Sequence, residues 1–274
     1  MSIVFACAVS HAPGLKAWAE RATPEQQHIL FGGFERLREK LTRAEVDHLI
    51  VLTSEHWTNF FYDHVSAFCI GRAESYTGPV EPWLKLEKCV IPGDPAFASA
   101  LIDAVYAADI EVGFSDELQF DHGTLLPLHF LAPEMNIPVT PVFFNTLAPP
   151  QPSAQRAMAL GGVIGQIARK SKKRIGLIAT GGLSHDPGER NHGVILEDFD
   201  HAFMDKMARA DLAALAGYTR EGLAAAGAGA FELLAWISLA GALKKFTGEV
   251  IGYAPVRGWA TGMGLMSFVP ERAA

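Results

Sequence analysis

Short apolar runs rich in β-branched and aromatic residues alternate along the chain with longer amphipathic segments. The short runs predict strands at Ile3–Val9, His48–Thr53, Val65–Ile70, Val139–Phe144, Arg174–Thr180 and Gly262–Val269. The longer segments predict helices at Pro24–Leu41, Pro95–Ala107, Gly123–Leu131, Ser153–Lys170, Glu197–Ala208 and Ala230–Phe246. Such alternation favours βαβ units. We therefore expect residues 1–274 to form a single α/β domain with a mixed, mostly parallel central sheet flanked by helices.

The composition agrees with a well-buried globular domain and argues against two classes of partner. Hydrophobic residues make up 49% of the chain and charged residues only 19%. The net charge of −7 argues against nucleic acid, which is bound by clustered lysines and arginines. The dense basic run from Lys170 to Arg174 is typical of a solvated helix end. No apolar stretch reaches the roughly 20 residues that span a bilayer, so no membrane partner is expected.

The cysteines and the N-terminal residues indicate the compartment. Cys7, Cys69 and Cys89 form an odd set without paired spacing, which favours a reducing environment and gives no zinc signature. The first apolar run is short and follows no basic segment, so it predicts a strand rather than a signal peptide. We expect a cytoplasmic protein.

Three of the ten histidines directly follow predicted strands. His11 follows the first strand, His56 the second, and His185 the strand that ends at Thr180. In open α/β sheets, ligands bind beyond the carboxyl ends of the strands. Each histidine alone is equally consistent with a loop side chain that bonds the backbone. Glu55, beside His56, could support that histidine by a hydrogen bond, but it is interpreted as a solvated carboxylate.

Glu232 lies in a long segment whose other residues are apolar or small. A buried carboxylate is costly unless it is paired or binds a metal, although an exposed helix face is the alternative for this residue. Two histidines and a carboxylate on separate elements match the facial triad of non-haem iron(II) oxygenases. That triad leaves positions open for substrate and dioxygen. By this reasoning His11, His56 and Glu232 are candidate metal ligands.

Two histidines lie in motifs that suit proton transfer. His122 lies in Phe120–Gly123, just before a predicted helix, and His185 ends the glycine-bearing turn Thr180–His185. Glycine permits positive φ and close approach of the backbone to a ligand, and histidine transfers protons near neutral pH. The alternative for each is a packed, hydrogen-bonded histidine. The remaining histidines are interpreted as structural: His28, His48, His64, His129, His192 and His201.

The order of these motifs resembles that of the class III, LigB-type extradiol ring-cleavage dioxygenases. The shared pattern is Ser-His-x-Pro, a strand followed by His56, Asp-His-Gly, Gly-Gly-Leu-Ser-His, and a Glu before Leu-x-x-Trp. The resemblance extends from Ser10 to about Leu243. It implies that His11, His56 and Glu232 bind Fe(II), that His185 is the acid/base residue, and that His122 lies beside dioxygen.

The resemblance implies an enzyme that cleaves a catechol-like ring, dihydroxy or aminohydroxy, and incorporates both atoms of O2. Its partners would be a small aromatic diol-like substrate and O2. Two other functions remain open: a zinc-dependent hydrolase that uses the same ligands, and a non-enzymatic binding protein on the same scaffold. The chain lacks the small helical domain that some relatives carry. We therefore expect a homo-oligomer or association with a small subunit.

Overall fold

The computed structural model describes residues 2–270. Its strands are β1 (Ile3–Val9), β2 (His48–Ser54), β3 (Phe68–Gly71), β4 (Ser75–Gly78), β5 (Cys89–Pro92), β6 (Gly113–Ser115), β7 (Val139–Phe144), β8 (Ile175–Thr180), β9 (Phe246–Val256) and β10 (Thr261–Pro270). Its helices are α1 (Gly14–Ala17), α2 (Pro24–Arg43), α3 (Pro95–Tyr106), α4 (His122–Leu131), α5 (Ala154–Lys170), α6 (Glu197–Ala208), α7 (Leu212–Ala216), α8 (Arg220–Ala224) and α9 (Leu233–Leu243).

Eight of the described strands form one sheet in the order β6-β3-β7-β2-β8-β1-β10-β9, while β4 and β5 form a separate ribbon. Its centre is parallel: β7 pairs with β2, β2 with β8, and β8 with β1. β10 and β9 complete one edge in the antiparallel direction, and β3 runs antiparallel to β7. The expected fold, a single α/β domain with a mixed, mostly parallel sheet flanked by helices, is confirmed.

Every residue of the central strands β1, β2, β7 and β8 is buried except Val4, as expected for a sheet with helices on both faces. One hydrophobic cluster lies under α3, α5, α6 and α9 and includes the fully buried Trp236. The second lies under α2 and α4 and includes Phe34. None of the helices in residues 2–270 has the length and apolar character needed to cross a bilayer.

Helices α5 and α9 approach each other closely because two glycines of α5 face the backbone of α9. A Cβ atom at Gly161 would overlap the carbonyl oxygen of Ser238, and one at Gly165 would overlap that of Ala242. Glycine inside a helix costs about 0.5–1 kcal/mol relative to alanine, so this close contact is gained at some cost to helix stability.

All six predicted strands and all six predicted helices are present, with differences at their ends. Strands β4, β5, β6 and β9 and the short helices α1, α7 and α8 were not predicted. Strand β3 begins at Phe68 instead of Val65. The helix predicted over Ala230–Phe246 is shorter: a 3-10 turn occupies Ala228–Glu232, α9 ends at Leu243, and Phe246 opens β9. Lys244 has a φ of 64°, outside the helical region, which ends α9 there.

The strand order places the predicted site residues together. Because β2, β8 and β1 are neighbours and parallel, the loops after their carboxyl ends leave the sheet at one edge. These loops carry His56, His185 and His11.

Candidate metal centre

The structure brings all five predicted site residues to this edge of the sheet. The imidazole ring centroids of His11 and His56 lie 5.1 Å apart, and those of His56 and His122 lie 4.1 Å apart. His185 Nε2 lies 3.7 Å from Oε2 of Glu232. The five side chains therefore line one small volume.

Glu232 lies at the centre of this group and is buried, with a side chain 3% exposed. Its Oε1 lies 3.1 Å from His56 Nε2, and its Oε2 lies 3.3 Å from His11 Nε2. The Gly182 amide donates a hydrogen bond of 2.6 Å to Oε2. The alternative of an exposed glutamate on a helix face is wrong, because the 3-10 turn before α9 directs Glu232 inward.

The Nδ1 atoms of the two candidate ligand histidines are already used in hydrogen bonds. His11 Nδ1 lies 3.0 Å from Thr180 Oγ1, whose hydroxyl also lies 3.0 Å from the Gly123 carbonyl. His56 Nδ1 lies 3.0 Å from Oδ2 of Asp121. Hydroxyl and carboxylate partners of this kind commonly orient metal-binding histidines. Both rings therefore direct Nε2 towards Glu232.

The other two histidines follow the same rule. His185 Nδ1 lies 3.0 Å from the Leu183 carbonyl, which can only accept, so Nδ1 carries the hydrogen. His122 Nδ1 contacts the Glu81 carboxylate. All four imidazoles thus use Nδ1 for a supporting contact and present Nε2 to the site.

Asp121 is a functional residue that sequence reasoning passed over. Its side chain is 1% exposed and accepts hydrogen bonds from the His56 amide and Nδ1 and from the Gly123 amide, so it also caps α4. An aspartate directly before a predicted helix is a typical N-cap, and this signal could have identified it. Burial opposes ionisation, but the charge and hydrogen bonds of His56 outweigh it and lower the pKa of Asp121.

The electrostatics of the site favour a cation. Burial would raise the pKa of Glu232, but the charges of His11 and His185 and the hydrogen bond from His56 hold it well below its ordinary value. Burial would lower the pKa of His56, but Asp121 and Glu232 together raise it well above its ordinary value. The site therefore contains two buried, ionised carboxylates, those of Asp121 and Glu232. Their negative charge stabilises positive charge beside them.

The donor atoms fit a divalent metal ion. His11 Nε2 is buried and has no hydrogen-bond partner among the described residues, although it points at the Glu232 carboxylate. Two ligand sets are geometrically available. His11 and His56 combine either with Glu232 or with His122, because the ligating nitrogens of the three histidines lie within 4.8 Å of one another.

Glu55 is not the solvated carboxylate that was expected. It is 7% exposed, and its carboxylate accepts hydrogen bonds from the backbone amides of Trp57, Thr58 and Asn59. Burial raises the pKa of Glu55. The expectation was wrong because the chain turns sharply after β2 and these amides have no strand partner. Glu55 thereby fixes the turn that carries His56.

A cleft of about 440 Å³ opens above the five residues. Its walls include Trp18, Trp83 and Trp259, and the rings of Trp18 and Trp83 stack at 5.5 Å. The exposed Arg21 and Arg257 also line it, and the Arg21 guanidinium lies over the Trp18 ring. Among the described residues that line the cleft, the single carboxylate is Glu232, at its floor. The part of the cleft lined by these tryptophans and arginines, which we call the upper cleft, is therefore aromatic and basic.

Comparison with known proteins identifies the family. A family profile described as the catalytic LigB subunit of aromatic ring-opening dioxygenase matches residues 5–264. The chain belongs to this family. The expected resemblance is thereby confirmed, and the chain is an extradiol ring-cleavage dioxygenase. The hydrolase and the non-enzymatic binding protein, which the residues alone left open, have no support from this membership.

Curated relatives of this LigB chain bear a common name. The 2,3-dihydroxyphenylpropionate/2,3-dihydroxicinnamic acid 1,2-dioxygenase of Burkholderia vietnamiensis (strain G4 / LMG 22486) is 29% identical over 277 residues, covering 84% of this chain and 86% of the relative. The protein of the same name from Paraburkholderia xenovorans (strain LB400) is 27% identical, covering 98% of both chains. The crystal structure of an uncharacterized Escherichia coli K12 protein matches with a TM-score of 0.64 at 16% identity, covering 96% of this chain and 99% of that one, which shows a common fold.

Three of the six histidines interpreted as structural in the LigB chain have informative positions. His48 lies at the start of β2, and His129 lies within α4 beside Phe130. These two positions agree with a structural interpretation. His192, which was also interpreted as structural, instead lines the cleft. Its polar loop carries no periodic pattern that could have indicated this position.

Proposed function

We propose that this enzyme depends on Fe(II), held by His11, His56 and Glu232, and cleaves a catechol that carries a carboxylated side chain. The observation that carries the proposal is the buried Glu232 carboxylate, which lies within 3.3 Å of Nε2 of both His11 and His56. Two imidazoles and one carboxylate on one side of a metal form the facial triad of oxygen-using iron(II) enzymes.

Glu232 is preferred to His122 as the third ligand for two reasons. An ionised carboxylate in the interior needs a cation, and the side-chain nitrogens closest to Glu232 are those of His11 and His56. The His122 ring instead stacks on the His56 ring, with an interplanar angle of 29°. That position lies beside the proposed metal site and is suited to a group that contacts dioxygen.

Fe(II), held by His11, His56 and Glu232, would supply the electron-transfer chemistry that lets a catechol ring react with dioxygen. His185 supplies the proton chemistry. Because its Nδ1–H is held by the Leu183 carbonyl, the neutral ring presents a basic Nε2 to the cleft. It takes the proton of a substrate hydroxyl and returns a proton as the ring opens.

His122 would stabilise dioxygen as negative charge builds on it. Its ring is buried beside those of His11 and His56, with centroids 5.5 Å and 4.1 Å away. Because Nδ1 donates to Glu81, Nε2 of the neutral ring carries a lone pair. It would first take a proton from the second substrate hydroxyl and then, as Nε2–H, donate to the charged oxygen, an electrostatic contribution of the oxyanion-hole type.

The substrate proposal rests on the upper cleft and on the names of the relatives. Trp18, Trp83 and Trp259 provide apolar walls for an aromatic ring, and Arg21 and Arg257 provide charge for a carboxylate. The relatives are named for 2,3-dihydroxyphenylpropionate, which combines both features. We therefore place this substrate class ahead of aminophenols and dihydroxypyridines.

The deciding experiment is anaerobic reconstitution with Fe(II) or Zn(II), followed by oxygen uptake and product absorbance. The panel contains 2,3-dihydroxyphenylpropionate, protocatechuate, catechol, 2-aminophenol and 2,3-dihydroxypyridine. We expect uptake of one O2 per ring opened with Fe(II), the highest kcat/KM for the phenylpropionate, and no uptake with Zn(II). Ring opening by the zinc-loaded protein, or no uptake with any ring, would refute the proposal.

A further inference from the structure

Glu81 is the one carboxylate in contact with His122 among the described residues, and neither the motifs nor the relatives assign it a role. We propose that Glu81 is the positioning residue of His122. It holds the Nδ1–H group and thereby keeps Nε2 directed at the metal centre. The consequence for turnover rests on the function proposed above, whereas the contact and its effect on the imidazole do not.

The contact fixes which nitrogen of His122 carries hydrogen. Oε1 of Glu81 is the hydrogen-bond partner of His122 Nδ1, and both side chains are almost buried, at 12% and 10% exposed. An ionised carboxylate can only accept a hydrogen bond, so Nδ1 must donate. Nε2 is then the nitrogen left free at the centre.

The backbone ties Glu81 to the residues just before His122. The Phe120 amide donates to the Thr77 carbonyl at 2.8 Å, and the Val80 amide donates to the Phe120 carbonyl at 3.2 Å. These two hydrogen bonds join the segment just before Glu81 to Phe120, which lies two residues before His122. They set the position of Glu81 relative to His122 without help from the carboxylate itself.

No other contact explains a buried glutamate at this position. Glu81 precedes the 3-10 turn Pro82–Leu84, but its side chain makes no capping hydrogen bond to that turn. Its Oε2 is buried and has no partner within residues 2–270. A half-satisfied buried carboxylate costs free energy, so the interaction with His122 is the one gain that offsets it.

The same turn also forms part of the cleft. Trp83, two residues after Glu81, stacks on Trp18, and its ring centroid lies 6.1 Å from that of His122. A substitution that disturbed the whole turn would therefore damage the substrate wall and raise KM. Loss of the Glu81–His122 bond alone would leave the wall in place and lower kcat.

The first test measures which nitrogen of the His122 imidazole carries hydrogen in the metal-free protein. Long-range 1H–15N correlation spectra report which nitrogen of His122 is protonated, and comparison with His122→Gln assigns its signals. We expect the Nδ1–H form in the wild type and in Glu81→Gln, since the amide oxygen of glutamine also accepts. In Glu81→Ala we expect the Nε2–H form to become populated. The matched control is Glu87→Ala, an exposed glutamate in the segment before β5, which should leave the signals unchanged.

The second test uses the iron-loaded protein. We expect Glu81→Ala to keep its iron and its KM for the diol within about threefold, with kcat lowered roughly 10- to 100-fold, the usual effect of removing such a supporting group. Glu81→Gln should recover most of the lost kcat, and Glu87→Ala should match the wild type.

The outcomes separate this inference from the proposed function. An unchanged His122 tautomer in Glu81→Ala, or equal loss of kcat in the Gln and Ala variants, would overturn the inference. So would a KM increase as large as the kcat loss. If the wild type consumes no oxygen, the proposed function fails, but the tautomer comparison still decides whether Glu81 orients His122.

Discussion

His56 Nε2 lies 3.1 Å from Glu232 Oε1, although 176 residues separate the two in sequence. His56 follows the carboxyl end of β2, whereas Glu232 ends the 3-10 turn before α9. The Glu232 side chain is 3% exposed and that of His56 is 19% exposed, and both line the cleft.

The first prediction concerns the ligand set. His11→Ala, His56→Ala and Glu232→Ala should each lose tightly bound iron while keeping a folded domain, because two ligands do not hold the metal. His122→Ala should retain about one iron per chain, since His122 is placed beside the metal. Metal analysis after anaerobic reconstitution and circular dichroism check both parts. Loss of iron in His122→Ala, with retention in Glu232→Ala, would favour the three-histidine set.

The second prediction concerns His185. Its alanine variant should keep iron and bind substrate but turn over about 10²–10⁴-fold more slowly, because a positioned acid/base group is missing. Steady-state oxygen uptake and iron content are the measurements. His129→Ala, within α4, is the control, and its rate per bound iron should equal that of the wild type. Wild-type turnover in His185→Ala would make this histidine structural.

The third prediction concerns substrate charge. Arg257→Ala should raise KM for 2,3-dihydroxyphenylpropionate about tenfold, because an exposed charge-assisted hydrogen bond is lost, and should leave catechol unaffected. Arg209→Ala is the control, because Arg209 pairs with Asp205 on the surface and does not line the cleft. Equal effects on both substrates would show that Arg257 shapes the cleft and does not bind the substrate carboxylate.

The fourth prediction concerns acid stability at His48, which lies at the other edge of the sheet. Its side chain is fully buried, with Nε2 3.1 Å from Thr140 Oγ1 and Nδ1 3.5 Å from Asp94. Burial lowers the pKa of His48 from 6.5 to about 4, assisted by Lys173 and opposed by Asp94 and Asp47. The unfolded chain therefore binds this proton first, so stability is full above pH 6.5 and falls as the pH drops towards 4.

The expected loss is on the order of 3 kcal/mol across that window. Urea unfolding of the metal-free protein at pH 7.5 and pH 4.5 measures it. His48→Phe should be less stable at pH 7.5 but should show a smaller pH dependence than the wild type. His64→Gln, at an exposed position, should follow the wild-type curve. An unchanged pH dependence in His48→Phe would refute this prediction.

The fifth prediction compares two adjacent glycines of α5. Gly161→Ala should destabilise the fold by about 1–3 kcal/mol, because the new methyl overlaps the Ser238 carbonyl and forces α5 and α9 apart. Gly162→Ala meets open space and should stabilise the fold by roughly 0.5–1 kcal/mol through helix propensity. Opposite shifts in thermal midpoint are expected. A loss in both variants would show that the tight contact is not the cause.

The sequence predicted the metal centre better than its supporting residues. His11, His56 and His185 were found because each follows a strand, and Glu232 because a charge in an apolar segment needs an explanation. Glu81 carries no such mark: it lies in an irregular loop, 41 residues before the histidine it contacts. Pairings of this kind depend on tertiary structure and leave no periodic trace.

The edge strand β9 was missed for a different reason. It lies at one edge of the sheet. Buried and exposed residues do not alternate regularly along Phe246–Val256. Gly248 and Gly252 interrupt the apolar pattern, so neither the period of a strand nor that of a helix is visible. The buried residues of β9 are covered by its pairing with β10 and by α2. A short stretch of sequence around β9 does not contain both of these partners.

The position of β1 determines when the site can form during synthesis. The strand that carries the chain to His11 is made before both of its neighbours, β8 and β10, which begin at Ile175 and Thr261. On the ribosome this apolar strand therefore stays unpaired until β8 has been translated, and it then closes a long loop, which is a slow step. The ligands meet only when nearly all of the described residues have emerged. The proposed metal centre can therefore form only late in synthesis, after the segment that carries Glu232 has been made.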